Sequence, residues 1–372
     1  MSKRRLLIIF PDEWLSHSPT LLNLATCLSS DFNIKLVTFD DGFFKNDLLC
    51  DDRFKFIKVN AHLAHLFLRR IRIFYDLIKA IILLIWLIKY RKKVKVDRVI
   101  AVDSVGLWVA QKVFIRCHFL SMEIKKDVFF RLSRKDRIDS LAIQTAERSN
   151  FLFKRPFPNT FLIPNSPLIN KNNLDNFQSR PFTGKIIFFG NIHPNHGLYT
   201  CIDTIEQYQR KFKDQGVSLT IKGIITKPSI RNRILKTHQR LLDEKLLILD
   251  ETYEQQDQII AYLADFSIGI CFYDFNRISS KNFNYLSCPS GKLFNYFAAG
   301  VPLIGTDILG LKPVNDYSAG VLLKYLTVES ILRAIEDVRK NFAKYRKNAF
   351  LAAEAYDFRK AVIPYKNFLL TK

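Results

Sequence analysis

No Cys-x-x-Cys pair occurs in this chain, and its six cysteines, at 27, 50, 117, 201, 271 and 288, are scattered. That spacing suits neither a zinc site nor a disulfide framework and points to reduced, buried thiols in a cytosolic compartment. An Asp-x-Asp motif is also missing, so no bound catalytic metal is implied. The spacing G-x-x-x-x-G-K-[ST] is absent, which excludes a P-loop. No short-period repeat is present, and neither an RNP-like nor a helix-turn-helix signature appears. The N-terminal apolar run LLIIF is five residues long and stops at Pro11, Asp12 and Glu13. A signal h-region needs roughly 7–15 apolar residues, so this run reads as a first buried strand.

Acid is in short supply. The 372 residues carry 57 Lys and Arg against 35 Asp and Glu, a formal net charge of +22. Cut at Asn165, the first part carries +13 and the longer remainder +9. Such a balance implies anionic partners: phosphorylated substrates, acidic lipids or nucleic acid. Nucleic acid fits poorly, because most of the 32 Phe residues sit inside apolar runs, as core residues do.

What the chain has is alternation. Short apolar runs (RLLIIF, IKLVTF, DRVIAVD, HFLSMEI, LAIQTA, then KIIFFG, SLTIKGII, KLLILD, FSIGICFY, VPLIG) read as buried strands. Helical spacing separates them, as at Ile202, Ile205, Tyr208 and Phe212. Strand and helix in alternation predict parallel sheets covered on both faces. The pattern occurs twice, with a polar, turn-rich stretch at 165–184 between. The expected fold class is α/β, two Rossmann-like doubly wound domains facing a central cleft.

Segment 66–95 stands apart. Nine uncharged residues lie between Lys79 and Lys89, too few for a span of roughly 20. Residues 61–98 carry ten Lys and Arg and two acids. A buried helix with a solvated basic end is the plain reading. The basic clusters on both sides favour a helix that dips into an anionic membrane face.

The stretch CPSGKLFNYFAAGVPLIGTD, 288–307, concentrates the chemistry. Ser290 is placed as an N-cap, Gly291 lets backbone approach a ligand, and Lys292 adds charge at the positive end of a helix. Gly300 and Pro302 end that helix. A second piece, KIIFFGNIHPNHGL at 185–198, is a strand ending at Gly190 and a loop before a helix. Together they suggest a site for a nucleotide diphosphate.

These two pieces resemble the C-terminal domain of GT-B glycosyltransferases, particularly the retaining family 4. The similarity extends to LIPNSP at 162–167 and to 246–273, while 1–159 agrees only in pattern. The resemblance implies an acceptor-binding domain over 1–165, a nucleotide-sugar domain over 166–352 and a tail over 353–372 that crosses back to the first. It implies that Lys292 and the amides of Ser290 and Gly291 hold the donor diphosphate, with Gly190, Asn191, His196, Lys222 and Asn295 around it. The family's Arg and Lys fall on Asn191 and His196, and its two Glu on Ser287 and Asn295. Those departures remove two permanent cations from the place where the leaving diphosphate gains charge. Lys292, Lys222, Lys227 and a protonated His196 are the expected substitutes. In the first domain, strand-end candidates are Asp12, Glu13, His17, Asp103 and Glu123. Glu123 is chosen as the polar group near the reacting sugar, with a purely structural carboxylate as the alternative.

The function implied is transfer of a sugar, with retention, from a nucleotide sugar to a lipid-linked or cell-surface polysaccharide acceptor. No cofactor or metal is implied. Partners would be the donor, a saccharide acceptor and an anionic membrane through 66–95, without nucleic acid, in the cytoplasm at the inner membrane face. A degenerate module that binds without turnover is the alternative.

Overall fold

The computed structural model describes residues 3–15, 18–39, 54–59, 72–169, 180–212, 216–225, 227–252 and 258–371. The chain divides into two compact units, Met1–Pro164 with Phe358–Lys372, and Asn165–Asp357.

The first unit is built on seven parallel strands in the order β3-β2-β1-β4-β5-β6-β7. They are β1 (Arg4–Ile9), β2 (Phe32–Phe39), β3 (Phe54–Val59), β4 (Arg98–Val102), β5 (Cys117–Ser121), β6 (Ile138–Ile143) and β7 (Thr160–Leu162). Ile8 pairs with Leu36 on one side and Ile100 on the other, and all three are buried. Helices cover both faces of such a sheet, which is why its inner strands are apolar throughout. The helices used below are α1 (Pro19–Leu28), α2 (Arg72–Lys93) and α3 (Asp103–Phe114).

α2 is docked by its inner side. Ala80, Leu83 and Leu87 are buried against the core. Lys79 also points inward, 3.6 Å from Asp12 and over the rings of Phe39 and Tyr75. The Tyr75 phenol donates to Glu13. Phe74, Leu77, Ile81, Ile85 and Ile88 are left exposed on the outer side.

The second unit has six parallel strands in the order β10-β9-β8-β11-β12-β13. They are β8 (Lys185–Phe189), β9 (Ser218–Lys222), β10 (Leu247–Asp250), β11 (Ile268–Cys271), β12 (Leu303–Thr306) and β13 (Gly320–Leu323). Strand alternation feeds two separate cores, Ile186 and Phe188 into one and Ile187 into the other. Its helices include α4 (Leu198–Lys211), α5 (Gly291–Ala298), α6 (Val328–Lys340) and α7 (Phe342–Ala355). The strand order reverses between β8 and β11, the switch point at which open α/β sheets bind ligands.

The last helix, α8 (Phe358–Thr371), belongs to the first unit. Phe358, Val362, Tyr365 and Leu369 are buried. Tyr365 and Phe368 pack on Phe161 of β7, at 5.3 and 5.2 Å between ring centres. Lys366 pairs with Asp31 at 3.0 Å, and Arg98 donates to the Leu369 carbonyl at 3.2 Å.

Two expectations need correction. Strands β3, β7 and β13 were not among the ten expected, and all three are sheet edges. FKFIKV is broken by lysines and TFL and GVLL are short, so none shows a long apolar run, whereas the fourth edge, β10, does. The boundary expected at 352 falls inside α7, because Ala352 and Ala353 are buried in the second unit's core and the helix runs on to Ala355.

Candidate functional site

The carboxyl ends of β8 and β11 and the start of α5 converge at the switch point. Gly190 follows β8 with φ +101°, and its amide donates to the Lys222 carbonyl at 2.8 Å. A Cβ at Gly190 would stand 2.8 Å from Lys292 Cε, so the glycine makes room for the lysine stem. Behind it, a Cβ on Gly223 would fall 2.0 Å from the Gly190 carbonyl oxygen. Tyr296 fixes α5 beneath the sheet. It is fully buried, and its hydroxyl donates to the Ile187 and Ile270 carbonyls, each at 3.3 Å. Gly300 then ends the helix with φ +64°, as the sequence indicates.

Lys292 is the electrostatic centre. Its ammonium lies 5.6 Å from the centre of the Phe188 ring. Among the described residues it has neither a hydrogen-bond acceptor nor an ion-pair partner. Burial lowers its pKa, and the Cys271 thiol beside it acts in the opposite direction. The amides of Gly291 and Lys292 open the helix and have no acceptor among the described residues, as first-turn amides commonly do. A half-buried cation beside unpaired amides at a helix N-terminus suits an anion.

His196 stands next to it. Its Nδ1 is 3.1 Å from the Asn191 carbonyl, and its ring meets Tyr273 edge-on at 5.7 Å. Burial and the Lys292 charge push its pKa down to about 4. It is therefore neutral at physiological pH while no anion sits beside Lys292.

The other expected residues are placed as follows. Lys222 is buried and bonded to Asp250 at 2.8 Å and to Thr252, so its charge is spent within the domain. Burial works against the Asp250 carboxylate, but hydrogen bonds from Lys222, Thr252 and Tyr262 hold its pKa at about 2. Ser290 occupies the N-cap position of α5 without a side-chain cap bond. Its hydroxyl turns instead to Cys271 and Tyr273. Gly291 packs closely within its own domain, since a Cβ there would meet the Asn165 side-chain amide at 2.9 Å. Asn295 is half-buried on α5, Asn191 is exposed, and Ser287 is buried with its hydroxyl on the Phe283 carbonyl. Lys227 caps the next helix (Pro228–Thr237) and is exposed. Residues 253–257 of the expected base-binding loop lie outside the described residues.

Glu123 lies in the first unit, exposed on the loop after β5. The amides of Met122 and Glu123 donate to Asp103 Oδ1 at 2.8 and 2.9 Å. Asp103 itself has φ +52°, and burial raises its pKa to about 7. It shapes the loop that carries Glu123. Asp12 and Glu13 are engaged with α2, and His17 lies outside the described residues. The sequence does not single out Tyr273, Cys271 or Asn165. Tyr273 and Cys271 read as part of an apolar strand run, and Asn165 as part of a connection. Among the described residues no group of His, Cys, Asp or Glu could hold a metal ion. No described helix is long and apolar enough to cross a membrane.

No family model matches the sequence, and no curated protein matches it. Solved structures match along its whole length. A glycosyltransferase from Rickettsia africae superposes with a TM-score of 0.66 at 12% identity, over 100% of both chains. A sucrose-phosphate synthase from Thermosynechococcus elongatus gives 0.64 at 12% identity, over 99% of this chain and 97% of that one. The chain has the GT-B fold. A UDP-N-acetylglucosamine 2-epimerase matches as well, with 0.63 at 12% identity over 100% of this chain and 96% of that chain. A GT-B architecture alone therefore does not select a reaction, and the choice falls to the residues at the switch point.

Proposed function

We propose that the second domain binds a nucleoside diphosphate sugar and that the protein transfers its sugar to a saccharide acceptor. The observation that carries this reading is the Lys292 ammonium, half-buried and without a counter-ion among the described residues, at the opening of α5. A leaving diphosphate gains negative charge as the sugar bond breaks, and fixed donors at that point lower the barrier. Lys292 supplies the permanent cation, the Gly291 and Lys292 amides supply donors, and Asn295 offers a hydrogen bond toward the ribose. Glu123 is proposed as the polar group on the acceptor side. Retention of configuration, a family 4 relationship and a lipid-linked or cell-surface polysaccharide acceptor rest on the motif resemblance.

Thermal-shift binding to UDP, GDP, ADP, CDP and TDP, with and without sugar, tests this. A ligand at 100 times its dissociation constant stabilises the native state by about 2.7 kcal/mol. One nucleotide should shift the melting temperature, and Lys292→Ala should remove the shift and lower turnover by roughly 100-fold or more. A normal shift in Lys292→Ala refutes the site. Asn191, His196, Ser287 and Asn295 support a second reading, binding without turnover, because no second permanent cation faces Lys292 among them. A clear nucleotide shift with no sugar transfer to any acceptor would favour it.

A further inference from the structure

The outer side of α2 leaves five large apolar side chains in solvent, Phe74 at 53% exposure, Leu77 at 41%, Ile81 at 44%, Ile85 at 51% and Ile88 at 45%. Their spacing of three, four, four and three residues keeps them within about 80° of arc and along roughly 21 Å of helix. The linear sequence hides this stripe, because Lys79 interrupts it on paper. In the fold Lys79 is 4% exposed and bound to Asp12 on the opposite side, so the stripe is unbroken.

The stripe ends in cations. Lys89, Arg91, Lys92, Lys93 and Lys95 follow it and are exposed. Lys92 lies five whole turns after Phe74 and so continues the stripe's own line. Lys92 and Lys93 make no ion pair among the described residues. Beside them opens a cavity of about 820 Å³ lined by Arg91, Lys92, Lys93, Lys95, Arg98 and Arg116. Its two carboxylates are already matched, Asp97 by Arg5 and Asp139 by Arg116. Asp76 is the sole acid in α2. The partner for this surface must be apolar along one line and anionic at its end.

We infer that α2 docks the protein flat on an anionic lipid bilayer. Phe74, Leu77, Ile81, Ile85 and Ile88 enter the acyl boundary, to the roughly 5–10 Å typical of interfacial helices. Lys92, Lys93 and Lys95 lie among the headgroup phosphates. A second copy of the chain matches this surface less well, since it would bring another stripe but no acidic patch to meet the lysines. The inference does not rest on the donor site, and nucleotide binding and lipid binding can each fail without the other.

The test is flotation of the full chain with phosphatidylcholine vesicles, with and without phosphatidylglycerol, at low and high salt. The protein should float with the anionic vesicles at low salt. Lys92→Gln with Lys93→Gln should weaken partitioning roughly thirtyfold. Ile81→Asn with Ile85→Asn should abolish flotation at an unchanged melting curve, since both side chains are half in solvent already. No flotation with either vesicle overturns the inference, as does a double Asn variant that floats like the parent. A dimer seen by sedimentation, lost in the Asn variant and formed without flotation, would instead make this face a contact between copies.

Discussion

His196 and Lys222 were both expected to supply positive charge; His196 is neutral without a ligand, and Lys222 is paired within its own domain. His196 carries no proton because Lys292 and burial oppose one, with a pKa of about 4. An unfolded histidine titrates near 6.5. Between those values the unfolded chain holds more protons, so His196 makes the fold less stable as pH falls from about 6.5 toward 4. A diphosphate bound at Lys292 reverses the local field and raises the His196 pKa. Nucleotide binding should then take up protons near pH 6, measured by calorimetry in two buffers of different ionisation enthalpy. His196→Asn should reduce that uptake to the nucleotide's own contribution. Lys222 behaves oppositely, as half of a pair with Asp250. Lys222→Met should lower stability by about 1.5–3 kcal/mol, seen as a shift in the urea midpoint, because it removes the charged hydrogen-bond partner of Asp250, which keeps only Thr252 and Tyr262. An unchanged midpoint with lost nucleotide binding would return Lys222 to the donor site.

At the level of elements, α5 and its two ends were largely legible. Ser-Gly-Lys before an apolar helix and Gly-x-Pro after it are local signals, and the structure places the helix at Gly291–Ala298. Gly300 is required twice, by φ +64° and by the Phe350 ring, whose Cζ would be 2.1 Å from a Cβ there. Gly300→Ala should therefore destabilise by about 1–3 kcal/mol, read from the same urea curves. Long-range pairings could not be read. Lys222 and Asp250 are 28 residues apart and meet because β9 and β10 lie side by side. The inward turn of Lys79 depended on Asp12, 67 residues earlier. Three of the four edge strands were missed: β3 alternates lysines with apolar residues, and β7 and β13 are only three and four residues long.

At the scale of the molecule, the two parallel sheets follow from the twofold alternation of strand and helix, while their strand order and the closing of the first domain by α8 depend on long-range contacts. Phe358, Val362, Tyr365 and Leu369 are all buried there, each worth roughly 1.5–3 kcal/mol. Removing residues 358–372 should speed hydrogen exchange in β1 and β7 while leaving β8 to β13 protected. Equal loss of protection in both sheets would contradict the division into two units. That division also sets an order of events during synthesis. Domains generally fold as units while the chain emerges, yet the first domain lacks α8 until residues 358–371 have been made. Its β7 face, where Phe161 awaits Tyr365 and Phe368, stays open through the making of all of Asn165–Asp357. The first domain is completed only after the second, and a ribosome stalled within the second domain would hold a first domain still unable to close.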